Sequence, residues 1–401
     1  MPKVNPEILR WARESAGFDL AEAAARIDLG AARGVSGEER LARLEAGEEE
    51  PSRPQLLRMA KQYRRPLLVF YLAAPPRRAE RGQDFRTLPN APERDEEAVL
   101  DALIRDLMAR QALVRSALVD EEAAPLPWIG SQSIQIDPTD LVSQIRSDLA
   151  FDLERFRRAR TPADAFALLR EVVESRGVFV LLISNLGSHH TALDAEVFRG
   201  MAIADAIAPF IVINDQDSKS AWSFTLLHEL VHLYLGFTGV SGGAMEQSVE
   251  RFCNQVASEL LLPASEFAQF RIAEGLSDDE VADLISGFAA ERNVSRTMVT
   301  YRLLLRRSIS QRQWNAISAL FRDQWIRNRE EQREARRGEI GGPSYYTVRR
   351  NRLGAALLGT TARLLRSGTL TTVKAGQVLG VRPSNVRELM ATVPAFAQAV
   401  S

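Results

Sequence analysis

One cysteine, Cys253, and four histidines are the only thiol and imidazole side chains in a chain of 401 residues. A lone thiol excludes a disulfide scaffold and any metal site built from several thiolates. Long apolar runs are missing too. None approaches membrane-spanning length, and Pro2-Lys3-Val4-Asn5-Pro6-Glu7 leads into a mixed-charge helix instead of a secretory apolar core. The expectation is a cytoplasmic protein with no membrane partner. There is little net charge: 51 Lys and Arg stand against 52 Asp and Glu, a formal balance of -1, so any nucleic acid is met by a local patch alone. What remains, 45% hydrophobic and 26% charged residues, is ordinary for a globular chain long enough for two or three domains.

Two of the four histidines fall in His228-Glu229-Leu230-Val231-His232. HExxH sets two imidazoles four residues apart, so on a helix both leave the same face about one turn apart. That suits one zinc ion, with Glu229 beside it as a candidate base for a water molecule. The surrounding residues, from Ala221 and Trp222 through Leu226 and Leu227 to Leu235, are apolar on most sides, and Gly236 supplies a stop. Polar groups in such a helix need partners, because burying them unpaired costs several kcal/mol. A metal is one partner; internal hydrogen bonds between the histidines are the plainer alternative.

Catalytic zinc usually has three protein ligands. No histidine follows His232, which excludes the extended pattern with a third imidazole downstream, so the third ligand is expected to be a carboxylate. Glu246 and Glu250 lie one turn apart on a helix spanning roughly 245–262. Glu250 is flanked by the apolar set Val249, Phe252, Cys253 and Val256, whereas Glu246 adjoins the wet Ser241-Gly242-Gly243 turn. Spacing favours Glu250 without excluding Glu246, and both also suit a helix start. His189 and His190 sit in a polar loop, as candidates for lining a cleft or as ordinary exposed histidines.

Phe224 to Leu233, followed by Glu250-Arg251-Phe252-Cys253-Asn254 and a Leu260-Leu261-Leu262-Pro263 stop, resembles the ImmA/IrrE family of metallopeptidases. Phe198-Arg199-Gly200 and Ala208 to Asn214 add to the likeness. The resemblance implies zinc bound by His228, His232 and Glu250, with Glu229 activating water. Cys253, Val256 and Leu262 depart from the family's usual alanine, phenylalanine and methionine, and none removes a proposed ligand. The resemblance further implies cleavage of one specific cytoplasmic regulatory protein, such as a transcriptional repressor, encoded nearby in a stress-response or toxin-antitoxin locus.

Toward the N-terminus, short apolar-periodic segments and tight turns suggest a helical module over residues 7–72. The order Arg13, Gly17, Leu20, Ala24, then Leu44-Glu45-Ala46-Gly47, resembles Xre/Cro-like helix-turn-helix domains. That likeness implies operator DNA as a partner, with Arg33, Arg40 and Arg43 as candidate contacts. Two features oppose it: a long stretch from Asp28 to Gly37, and clustered carboxylates including Glu38, Glu39, Glu45 and Glu48.

The chain is thus read as multidomain and mainly α. An Xre-like bundle (1–75) is followed by a connector (76–92) anchored by Phe85, and a helical segment (93–175). The peptidase core (176–310) is α+β, with strands near Val178–Ile183, Phe198–Ile203 and Phe210–Ile213. The strand holding Gly200 is the candidate edge for pairing with substrate. A closing helix pair in this core carries Arg296, Tyr301 and Arg302, with Tyr301 a candidate near the cleft. A charged helix or linker (311–344) and a C-terminal helical unit (345–401), a candidate dimer contact, complete it. The rival to a peptidase is a DNA-binding regulator or antitoxin-like protein whose zinc domain is sensory, structural or degenerate.

Overall fold

The computed structural model describes residues 3–32, 34–76, 94–238, 246–273, 275–337 and 344–391. Arg33, Phe85, nearly all of the connector and the Ser241-Gly242-Gly243 turn lie outside the described residues. The described residues fall into two compact units: one holds residues up to 76 with 94–108 and 185–197, the other 109–184 and everything from 198 onward.

The first unit begins with α1 (Pro6–Glu14), α2 (Leu20–Arg26), α3 (Gly37–Ala46) and α4 (Arg53–Gln62), followed by a 3-10 turn over Leu67–Tyr71. The side chains of Asn5, Asp19 and Ser36 accept from the first turns of α1, α2 and α3, and Gly47 ends α3 in the left-handed conformation at φ 77°. Ile8, Ala12, Ala23, Leu41, Leu56, Met59 and Phe70 share one apolar core. Glu45, expected on an exposed acidic stretch, is instead 5% exposed. Its two oxygens accept from Arg13 Nε and Nη2 at 2.8 and 2.9 Å, and Arg13 Nη1 donates to the Phe18 carbonyl at 2.9 Å. This bidentate pair joins α1 to α3, and removal of either partner leaves a buried charge at a cost of about 3–5 kcal/mol.

In the second unit, the C-terminal half of α5 (Arg94–Asp120) precedes α6 (Pro138–Leu149), α7 (Leu153–Arg157) and α8 (Pro162–Ser175). Pro162 opens α8 as its missing donor allows, and the 139–175 stretch is broken by Ala150 at φ 48°. Three strands follow: β1 (Phe179–Leu182), β2 (Gly200–Ile203) and β3 (Phe210–Ile213), ordered β1-β3-β2. β1 runs parallel to β3, with Phe179 opposite Phe210; β2 runs antiparallel to it, with Gly200 opposite Ile213. All twelve strand residues are buried, and the run of Val, Ile, Leu and Phe in β1 and β3 suits a sheet covered on both faces.

Then come α9 (Lys219–Leu235), α10 (Glu246–Leu261), α11 (Ala264–Phe267), α12 (Asp278–Ala290) and α13 (Arg296–Leu305). α9 packs on α8, α10, β2 and β3, so its apolar residues are used on every side. The charged segment expected as a helix or linker is part of one continuous helix, α14 (Gln311–Arg337). The C-terminal region supplies α15 (Tyr345–Leu353), α16 (Ala355–Arg366), α17 (Thr372–Leu379) and α18 (Pro383–Met390), of which α15 and α16 pack on β1. Among the described residues, no helix is long and apolar enough to cross a membrane.

Candidate metal centre

The HExxH segment occupies the buried half of α9. From Thr225 to Leu235 every residue is buried, and His228, Glu229 and His232 are 1%, 3% and 3% exposed. Gly236, at φ 74°, ends the helix one turn after His232. The end is held from outside: Gly130 and Gln132 donate backbone N–H groups to the carbonyls of Leu233 and Tyr234 at 2.9 and 3.0 Å. Gly236 and Gly130 meet backbone to backbone, and a Cβ on Gly236 would stand 3.0 Å from the Gly130 Cα. The Tyr234 hydroxyl donates to Asp148 at 2.8 Å, and Trp222 packs edge-on to Phe166. These contacts fix the rotation of α9, and with it the direction of both imidazoles.

α10 brings the carboxylate. Its apolar residues Val249, Cys253, Val256, Ala257, Leu260 and Leu261 enter the core shared with α9, placing Glu250 on the same face at 4% exposure. Pro263 follows one residue after the helix, past Leu262, and has no N–H to give, so the last carbonyls of α10 have few backbone donors to reach. Guanidinium groups fill that role. Arg146 donates to the carbonyls of Glu259 and Leu260, Arg157 to Leu261, and Arg302 to Ser258 and Leu262 as well as to the Glu259 carboxylate. Arg302 is therefore an anchor for α10, whereas Tyr301 on α13 is exposed.

The result is three ligating atoms at one point. His228 Nε2 lies 3.1 Å from Glu250 Oε1, His232 Nε2 lies 2.9 Å from the same oxygen, and the two Nε2 atoms are 3.1 Å apart. Among the described residues these three form the group able to hold a metal ion. The donors fit zinc in kind, two imidazole nitrogens and one carboxylate, and their separations approach the roughly 3.3 Å expected of ligands 2.0–2.1 Å from one tetrahedral ion. A second observation agrees: Glu250 Oε2 is buried with no hydrogen-bond partner among the described residues, as suits a carboxylate oriented to a cation. Burial alone would push the Glu250 carboxyl up, yet the charge of His228 and hydrogen bonds from both histidines hold it well below the usual carboxylate range.

The structure also supplies a residue that spacing did not reveal. Cys253 Sγ lies 3.8 Å from His232 Nδ1, on the side of the ring away from Glu250. Burial pushes this thiol up, so it remains protonated at neutral pH, with His232 offsetting only part of the shift. With Nε2 given to a metal, Nδ1 keeps its proton and donates to the sulfur, which sets the tautomer and the tilt of the ring. Cys253→Ala is therefore expected to weaken zinc affinity about tenfold, and Cys253→Ser to recover most of the loss. Competition against a chelator measures both; equal affinity in the alanine variant would rule out this role.

Glu229 points elsewhere. Its Oε1 would stand 2.6 Å from a Cβ placed on Gly200, and Thr225 Cγ2 would stand 2.7 Å from it, so the bare backbone of β2 is what admits Glu229 beside the strand. The carboxylate lies close enough for its charge to act on both His232 and Cys253.

The group of three does not include the other sequence candidates whose side chains are described. Glu246 is the first residue of α10, and its side chain lies outside the described residues, as does that of His189. His190 is exposed in a 3-10 turn, His189–Thr191, that belongs to the first unit. In the N-terminal bundle, Arg40 donates to the Gly30 carbonyl at 2.6 Å, and Arg43 lies 3.9 Å from Glu49.

Comparison with known families matches residues 174–304 to the IrrE N-terminal-like domain, a peptidase family model. No curated protein and no solved structure gives a match. The matched span covers β1 through α13 and contains the whole HExxH…E arrangement.

Proposed function

We propose that this chain is a zinc endopeptidase that cleaves a specific regulatory protein, of which a transcriptional repressor is the best candidate. The observation that carries the reading is the convergence of His228, His232 and Glu250, with Glu229 on the same helix turn and the IrrE-like domain around them. Held by those three residues, zinc supplies Lewis-acid polarisation of the scissile carbonyl and acidifies water. Glu229 takes the proton of the attacking water at its carboxylate and delivers it to the leaving amine. Cys253 keeps His232 in the required tautomer, and the buried walls of α9, α10 and the sheet exclude bulk water from the ligands. The N-terminal bundle serves as the regulatory module.

Cleavage of one protein is tested by incubating the zinc-loaded chain with regulators encoded beside it. A single cut in one of them, found by mass spectrometry and blocked by a chelator, supports the reading; intact regulators throughout count against it.

Gly200 offers a separate check on the role of Glu229. Gly200→Ala drives a methyl group into the Glu229 carboxylate, and displacement by about 1 Å lowers hydrolysis roughly 10- to 100-fold. Zinc content should stay unchanged, because no ligand touches the new methyl. Full activity in that variant would show that the position of Glu229 is unimportant.

A further inference from the structure

The C-terminal region carries a charge that the whole chain conceals. Between residues 344 and 391 there are eight arginine and lysine residues and a single acid, Glu388, in a chain whose balance is -1. The N-terminal bundle, by contrast, has twelve basic and eleven acidic residues between 3 and 76. Glu388 itself accepts a hydrogen bond from the Tyr346 hydroxyl.

This charge sits on a particular piece of geometry. α17 ends at Gly380, which takes the left-handed conformation at φ 61°, and α18 begins at Pro383 after a three-residue turn. The turn closes through Val381 N–H on the Gly376 carbonyl at 2.9 Å. Gly376 is the point where the second helix crosses the first: a Cβ there would stand 2.9 Å from the Val381 carbonyl oxygen and 3.3 Å from the Pro383 nitrogen. Arg349 braces the turn from α15 by donating to the carbonyls of Leu379 and Gly380 at 2.6 and 2.9 Å. Val386, Leu389 and Met390 seat α18 on Ala375, Val378 and Leu379 of α17 and its neighbours, all of them buried. Two short helices, a glycine turn, a close crossing at a residue without a side chain and a buried second-helix face are the parts of a helix-turn-helix.

Apart from Glu388 on α18 and Val373 on α17, both exposed, the outer face presents hydrogen-bonding and cationic groups. Arg382, Pro383, Ser384 and Arg387 are exposed on α18 and its entry, and Lys374 is exposed on α17. We propose that α17, the turn and α18 bind duplex DNA, with α18 in the major groove, Ser384 and Arg387 toward base edges, and Lys374 and Arg382 on phosphates. The spacing is that of a reading helix whose N-terminal residues face the groove. Arginine is the side chain best matched to guanine there. Duplex is the partner chosen because α18 itself has no aromatic residue to stack unpaired bases, and the neighbouring Tyr346 of α15 is tied through its hydroxyl to Glu388. This binding is independent of the hydrolytic reading: it uses other residues on other elements.

The test uses the full-length protein with a random-sequence pool of duplexes of about 30 base pairs. Binding at about 50 mM salt is expected, weakening steeply by about 200 mM. Arg382→Ala with Arg387→Ala should weaken it at least tenfold and flatten the salt dependence, while zinc content and thermal unfolding stay as in the parent. Arg387→Gln alone should change which sequences are enriched from the pool. Absence of binding at low salt overturns the proposal. So does parental affinity in the double variant, preference for single-stranded DNA, or loss of binding on changing Arg40 and Arg43 instead.

Discussion

Glu229→Gln is expected to lower peptide hydrolysis by roughly 10²- to 10⁴-fold, the usual contribution of a positioned general base, while zinc stays bound. Glutamine keeps the shape that fits beside Gly200, so the packing of α9 against β2 survives. It has no carboxylate to accept a proton, so the step assigned to Glu229 fails. The three groups that converge on one point, His228, His232 and Glu250, are untouched. Metal content by atomic emission and cleavage of the substrate protein, measured on the same preparation, separate the two effects. Undiminished proteolysis in a zinc-loaded Glu229→Gln protein would remove Glu229 from the mechanism.

Glu250→Ala should lose both zinc and activity. Glu250 Oε1 contacts each imidazole, at 3.1 and 2.9 Å, and it is the only anionic member of the cluster. Deleting it leaves two buried imidazoles without the charge that offsets a dication. The loss of zinc affinity should exceed the roughly 10- to 100-fold seen when an outer hydrogen-bond partner of a ligand is removed. His228→Ala should behave alike, whereas Glu246→Ala should retain zinc. Chelator competition across the three variants ranks them; tight zinc in Glu250→Ala together with loss in Glu246→Ala would reverse the ligand assignment.

Much of this centre is legible in the chain because helical geometry is local. His228 and His232 meet on one face whenever residues 219–235 are helical, and the apolar surroundings plus Gly236 make that helix plain. The helix starts at Asp19 and Ser277 are legible for the same reason, since each side chain bonds a backbone group within three residues. Glu45 was misplaced because its partner, Arg13, is 32 residues away, and no local pattern tells a solvated carboxylate from one paired across a core. The continuity of α14 through its charged stretch was equally hidden. Mixed charge at helical spacing suits an exposed helix or a linker alike.

The sequence by itself determined that a pair of imidazoles and a neighbouring carboxylate share one helix, and that a small sheet accompanies it, because a 3.6-residue period and short unbroken apolar runs are written in consecutive residues. Only the tertiary structure decided that Glu250 joins them, that Cys253 faces the far nitrogen of His232, and that Gly200 makes room for Glu229. Each of these is a contact between separate elements. It depends on how far α10 and β2 are turned toward α9, which is settled by core packing and by the arginine anchors on the end of α10, and by no spacing along the chain.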